Sequence, residues 1–387
     1  MSIQTPRELV RERRIVVCVG TGGVGKTTVA AALGLAAAQM GRKTLVLTID
    51  PARRLADAMG IRDLGNEPKR VKLPGRGPEL ELYAMMLDPK RTFDGLIARF
   101  APDPAARRKI LENPIYQHIS GALAGSGEYA AMEKVLEMSE SGRFDLVVVD
   151  TPPAQHALEF LDAPKRLIDF LDSRLVRLLV QPAVAAGRFS ARLLQRPVQA
   201  VLQLVERITG VGFLDDLAAF LVAIDDMSDG FKQRANRIQK TLSGSEAAFV
   251  LVAGPSRESS YNAELFLDHL DRAQTSLEGV VINRMHVWPG APPPRDLAAG
   301  SIAERDLEHL ATLLGDPAAA DAAVAAATEH ARAALCDYEN TRGLSDRATR
   351  NHCFFRTVPE QARDIQDLDS LSDIANALFR DSEVAGV

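Results

Sequence analysis

Residues Gly20 to Thr28 read Gly-Thr-Gly-Gly-Val-Gly-Lys-Thr-Thr. This matches the spacing G-x-x-x-x-G-K-[ST] at every fixed position, and the chemistry that spacing serves is the holding of a polyphosphate. Gly22, Gly23 and Gly25 let bare backbone approach an anion. The N–H groups of Val24 through Thr28 meet it at the start of a helix, whose dipole adds to the attraction. Lys26 reaches the β- and γ-phosphates, and the Thr27 hydroxyl can ligate Mg²⁺. The bland alternative is a chance glycine-rich turn, but the flanks argue against it. Ile15–Val19 is a short, apolar, β-branched run that reads as a buried strand, and Val29–Met40 is an Ala/Leu-rich helix closed by Gly41.

Two carboxylates follow apolar runs and become candidates beside this loop. Asp150 ends Leu146-Val147-Val148-Val149, where an aspartate would hold the hydration shell of the metal. Asp50 ends Thr44–Ile49 and precedes Pro51-Ala52. It could orient the attacking water or the metal, or it could cap a helix from Ala52 onward, a role aspartate fills readily. His156 lies just after Asp150, so it is either a sensor of the terminal phosphate or a structural histidine. Arg53-Arg54 is either a solvated face or a phosphate- or partner-facing pair. The seven histidines are scattered and no Cys-x-x-Cys occurs, so a zinc cage is not expected.

The elements that must position these residues follow from apolar patterning. Ile15–Val19, Thr44–Ile49, Leu80–Leu87, Leu146–Val149, Ala248–Val252, Gly279–Ile282 and Phe354–Val358 are continuously apolar rather than alternating, which fits strands covered on both faces. Strands separated by helical stretches imply an α/β fold with a doubly wound, mainly parallel sheet, whose ligands bind beyond the carboxyl ends of the strands. Gly20, Asp50, Asp150 and Asn283 end such runs. Three regions are expected: a nucleotide-binding core over 1–164, a helical insertion over 165–245, and the rest of the core over 246–387. The last would contain a second helical insertion at about 292–352. Helical apolar stripes mark the first insertion, notably Leu167, Phe170, Leu171, Leu175, Leu178 and Leu179.

Composition narrows the classes. Net charge is −5, giving no reason to expect a nucleic-acid partner. The polar start, Met1 to Arg14, is no signal peptide, and no apolar run approaches the ~18 residues of a membrane span. Three well-separated cysteines, Cys18, Cys336 and Cys353, suit a reducing cytoplasm and offer no disulfide framework.

The loop 20–28, Asp50-Pro51-Ala52, and Asp150-Thr151-Pro152-Pro153 with His156, Leu158, Phe160, Leu161 and Pro164 resemble the arsenite-pump ATPase family. That family includes the ATPase that guides tail-anchored membrane proteins to their membrane. The resemblance extends to Asn283 and to Pro359-Glu360. It implies a P-loop ATPase using ATP and Mg²⁺, with Thr27 and Asp150 serving the metal. Asp50 would lie in a first switch and position the hydrolytic water, and Asp150–His156 would form a second. Asn283 and Pro359 would flank adenine. It also implies a nucleotide-driven dimer, homomeric or heteromeric, with a hydrophobic client held by the helices of 165–245. The bland reading of those helices is that their stripes pack on one another.

Departures from the family pattern are equally legible. Better-known members carry a second lysine where this chain has Thr21, which cannot place a positive charge there. Their arsenite-binding cysteines have no evident counterpart, which weakens a pump-energising role. A slow or non-hydrolysing regulatory partner is the alternative that Thr21 supports.

Overall fold

The computed structural model describes residues 5–50, 52, 54–72, 80–119, 126–152, 154–172, 213–272, 275–289, 292–363, 365 and 367–380. Among them, eight strands form one sheet: β1 (Ile15–Gly20), β2 (Thr44–Thr48), β3 (Lys69–Arg70), β4 (Leu82–Met86), β5 (Leu146–Asp150), β6 (Ala247–Ala253), β7 (Leu277–Met285) and β8 (Phe354–Pro359). Their order is β3-β4-β2-β5-β1-β6-β7-β8. Every pairing is parallel except β3 with β4. All seven expected runs are strands. The additional β3 is two residues long, exposed and basic, and blunts the sheet edge with charge.

The continuous apolarity has a direct cause. In β1, Ile15, Val17 and Val19 enter one core while Val16 and Cys18 enter the other; β5 and β6 alternate in the same way. Both faces are covered, so neither set of alternate residues can be polar. The Lys26–Gln39 helix is buried over most of its length, and its alanines let it lie close against the sheet and the Leu368–Phe379 helix. From β1 the chain moves toward β2 and β4, whereas from β5 it moves to β6, β7 and β8. The carboxyl ends of β1 and β5 therefore mark the point where the winding reverses, the usual place for a ligand crevice.

A helix over Ala154–Leu171 runs through the expected boundary at 164/165, with Pro164 inside it. It packs against Ser228–Leu242 and Ser126–Glu140. Those two helices are joined by a buried ion pair: Arg234 Nε donates to Glu133 Oε2 at 2.7 Å, and Arg234 Nη1 to Glu140 Oε2 at 2.8 Å. Leu171, Phe220 and Leu221 belong to the main core, with Leu167 and Leu217 packed against it. The described stripes of the first insertion thus pack inward. Leu175, Leu178 and Leu179 lie outside the described residues.

The second expected insertion is helical over Arg295–Ala298, Glu304–Leu314 and the 34-residue Pro317–Arg350. No helix among the described residues is long and apolar enough to cross a membrane.

Beyond the crevice, β7 and β8 interlock where Gly279 pairs with Phe354, and a Cβ at Gly279 would collide with three atoms of that ring. Phe354 is buried, so its ring has little room to yield. Gly279→Ala is expected to cost about 2 kcal/mol, in the range of overpacked cores. A urea midpoint unchanged from wild type would show that the ring moves freely.

Candidate functional site

The phosphate loop leaves β1 and turns into the Lys26–Gln39 helix through Gly25, whose φ is 90°. Glycine is required there on two counts. That φ is the left-handed region, and a Cβ would strike the Asn283 side-chain amide. Gly22 and Gly23 are exposed, while Val24 is buried beneath the loop. Gly23, Gly25, Lys26, Thr27 and Thr28 line a cavity of about 770 Å³, a volume suited to a nucleotide-sized ligand. Asp50, Asn283 and Pro359 line the same cavity. The fold therefore brings together loop residues, first-switch candidate and base-side candidates that lie more than 300 residues apart.

Asp150 is buried at the end of β5, directly beneath the loop. Its Oδ2 accepts hydrogen bonds from the Thr27 and Thr48 hydroxyls, both at 2.8 Å. Its Oδ1 is buried with no hydrogen-bond partner among the described residues. Burial pushes the carboxyl up to about 6, against the opposing pull of the two hydroxyls and Lys26. An orphaned carboxylate oxygen beside a threonine hydroxyl is the hard-oxygen donor set that fits a small divalent cation. The residues thus match the group the loop pattern calls for.

Lys26 is buried as well. Its Nζ donates to the Thr21 carbonyl at 2.9 Å. Burial lowers its proton affinity, while Asp150 and Asp50 raise it. Thr21 therefore touches the site through its backbone.

Asp50 departs from one of its two anticipated roles. Its Oδ1 accepts from the Ala52 backbone N–H at 2.9 Å, an i to i+2 turn bond ahead of a helix that begins only at Arg54, so it does not cap a helix at Ala52; its Oδ2 faces Arg54 Nη1 at 3.6 Å. Its carboxylate still lines the cavity. The Arg54 side chain is mostly exposed apart from this contact. Arg53 and the His156 side chain lie outside the described residues.

Asn283 is buried, and its amide nitrogen donates to the Val24 carbonyl at 2.9 Å, bracing the loop. The pairing of β7 with β8 shifts register between Ile282 and Met285, so Asn283 and Arg284 sit in an irregularity of the strand. Arg284 has φ 61°, a left-handed conformation that costs a non-glycine residue about 1–3 kcal/mol.

Sequence reading missed Thr48, Arg284 and His286. Thr48 was the one with a signal: a hydroxyl two residues before Asp50 at the end of an apolar strand. Nothing local marks the other two.

Because burial raises the Asp150 carboxyl, the folded ligand-free protein holds that proton to higher pH than the unfolded chain does. The stability this proton linkage adds is present at low pH and lost as pH climbs from about 4 through about 6. Asp150→Asn removes the buried charge. The ligand-free variant is expected to melt above wild type at pH 7.5, with the gap closing toward pH 4.5, while turnover falls. A melting difference that stays constant with pH would overturn this account.

A family model described as anion-transporting ATPase matches residues 13–291. Among similar proteins, the ATPase ASNA1 homolog of Trypanosoma cruzi is 26% identical over 317 residues, covering 76% of this chain and 80% of that one. The ATPase get3 of Schizosaccharomyces japonicus is 23% identical over 302 residues, 77% of this chain and 82% of that one. The ATPase GET3 of Podospora anserina is 26% identical over 276 residues, 71% and 74%. With the phosphate loop, the acidic residue beneath it and the parallel sheet in place, the chain belongs to the anion-transporting ATPase family and is a P-loop ATPase.

Proposed function

We propose that this chain is a Mg²⁺-dependent ATP hydrolase that works in the cytoplasm as a nucleotide-driven homodimeric switch, handling a hydrophobic client such as a tail-anchored membrane protein. The observation that carries the switch is the route from Asp150. Residues 151 and 152 lead from that carboxylate toward the Ala154–Leu171 helix, which packs against Ser228–Leu242 in the first insertion and Ser126–Glu140 in the core. A change in the loop after Asp150 is therefore transmitted to those helices as a rigid element. Thr27 and Asp150 would hold Mg²⁺, and the metal would supply charge neutralisation at the β- and γ-phosphates. Lys26 binds the phosphates, and Asp50 orients water at the cavity wall after giving up its bond to the Ala52 amide. The client reading draws on family membership and on the GET3-named relatives.

The arsenite-pump reading is disfavoured by the thiols. Cys18 is buried in β1, and burial and Asp150 push its thiol up. Cys353 is pushed up to about 11 by burial. Soft metalloid binding needs several accessible thiolates together, and of the three cysteines Cys336 alone is exposed.

Two outcomes are expected. Asp50→Asn should bind ATP as wild type does while cleaving it more than about tenfold slower, as for lost water positioning. Wild-type turnover would leave Asp50 as a turn-closing residue. A peptide with one C-terminal apolar helix should be retained by the protein with an ATP analogue and released with ADP, with solution mass shifting from dimer to monomer in parallel. Retention that ignores nucleotide would sink the client reading.

A further inference from the structure

The carboxyl end of β7 is shaped to present one cation. Arg284 stands in the strand irregularity with φ 61°, and the fold holds that conformation from both sides. On one side, Asn283 is buried and bonded to the Val24 carbonyl. On the other, the His286 backbone N–H donates to Asp337 Oδ2 at 2.9 Å. The His286 ring spans two carboxylates, with Nδ1 2.8 Å from Asp337 Oδ2 and Nε2 3.2 Å from Glu360 Oε2. The Glu360 amide donates to the Met285 carbonyl at 3.0 Å. A strained backbone persists where its surroundings over-determine it, and such positions gather at ligand sites. A bulge at a strand end also re-aims the side chain it carries.

Arg284 lines the 770 Å³ cavity beside Gly25 and Lys26. It also lines an adjoining cavity of about 1130 Å³ that reaches Gly22 and Gly23 on the outer side of the loop. Of the other cations lining the 770 Å³ cavity, Lys26 bonds the Thr21 carbonyl, Arg54 faces Asp50, and Arg363 enters from the segment after β8 rather than from the strand irregularity. Arg284 is exposed and has no ion pair among the described residues. A guanidinium is a planar fork suited to phosphate oxygens, and it keeps its charge throughout the working pH range.

We propose that Arg284 binds the phosphates of ATP, and that the β7 bulge, held by Asn283 and His286, exists to aim it there. The inference rests on the reading of Gly20–Thr28 as the phosphate site. Asn283 acts on the nucleotide through the loop, and His286 is a positioning residue acting through Arg284.

The test is calorimetric titration of the full chain with ADP and a non-hydrolysable ATP analogue, alongside KM, kcat and thermal melts. Arg284→Asn removes the charge, yet asparagine tolerates the left-handed region. It should melt no lower than wild type and bind both nucleotides about tenfold more weakly, the scale of one charge-assisted hydrogen bond. Arg284→Lys should recover most of that loss. Affinities within twofold of wild type for Arg284→Asn, or an Arg284→Lys as weak as Arg284→Asn with a normal melt, would overturn the proposal. Lys26→Ala separates the two levels. If it binds nucleotide normally, the phosphate-loop reading itself fails. If it loses binding while Arg284→Asn does not, only the arginine's role falls.

Discussion

One carboxylate oxygen holds the site in register. Asp150 Oδ2 receives the Thr27 hydroxyl from the first turn of the loop's helix and the Thr48 hydroxyl from the neighbouring strand. The loop's helix is thereby fixed against two strands already paired in the sheet, at the point where the sheet reverses its winding. The arrangement is costly, because the second oxygen is buried without a partner among the described residues. Only a rigid sheet with apolar cores on both faces can hold a carboxylate in that position, so the regularity of β1, β2 and β5 is a condition of the chemistry as well as a packing outcome.

A second support comes from the far half of the sheet. Asn283, at the end of β7, braces the Val24 carbonyl and occupies the space that a side chain at Gly25 would need. The phosphate loop is thus gripped from below by Asp150 and from the side by Asn283. Its conformation is set before any nucleotide arrives, which lowers the ordering cost of binding. The resemblance implied an adenine-side role for Asn283, and its cavity wall position accommodates that, but its hydrogen bond in this structure goes to the loop.

Legibility in the sequence tracked how local the determining physics was. The loop was plain because its glycines, lysine and threonines are consecutive and flanked by an unmistakable strand and helix. The seven parallel strands were plain because burial on both faces forces unbroken apolarity. The edge strand Lys69–Arg70 was invisible, since two charged residues carry no strand pattern. Asp50 stayed open between capping and water positioning, and the structure has it closing a turn onto Ala52, ahead of a helix that starts at Arg54, while lining the cavity. Thr48 and His286 take their importance from partners as far off as Asp150, Asp337 and Glu360, and Arg284 from the strand irregularity that His286 borders. No spacing rule reaches across such separations. The expected break at 164/165 fell inside a helix, which accommodates Pro164 in its interior.

The pairing of β7 with β8 gives the segment between them an unusual freedom. Residues 286–353 leave from the carboxyl end of β7 and re-enter at the amino end of β8, beside Gly279 on the opposite edge of the sheet, so the sheet fixes both roots of this excursion. Lengthening a chain tethered in this way adds only about 0.6 kcal/mol of closure entropy per doubling. Growth of its outer turns therefore costs little, whereas Asp337, which holds His286, and Leu344 and Ala348, which enter the main core, tie the rest of it to the catalytic half. Only the departing root, next to Asn283 and Arg284, stands on the nucleotide's doorstep, so whatever is grafted there begins at the site and ends on the far edge of the sheet.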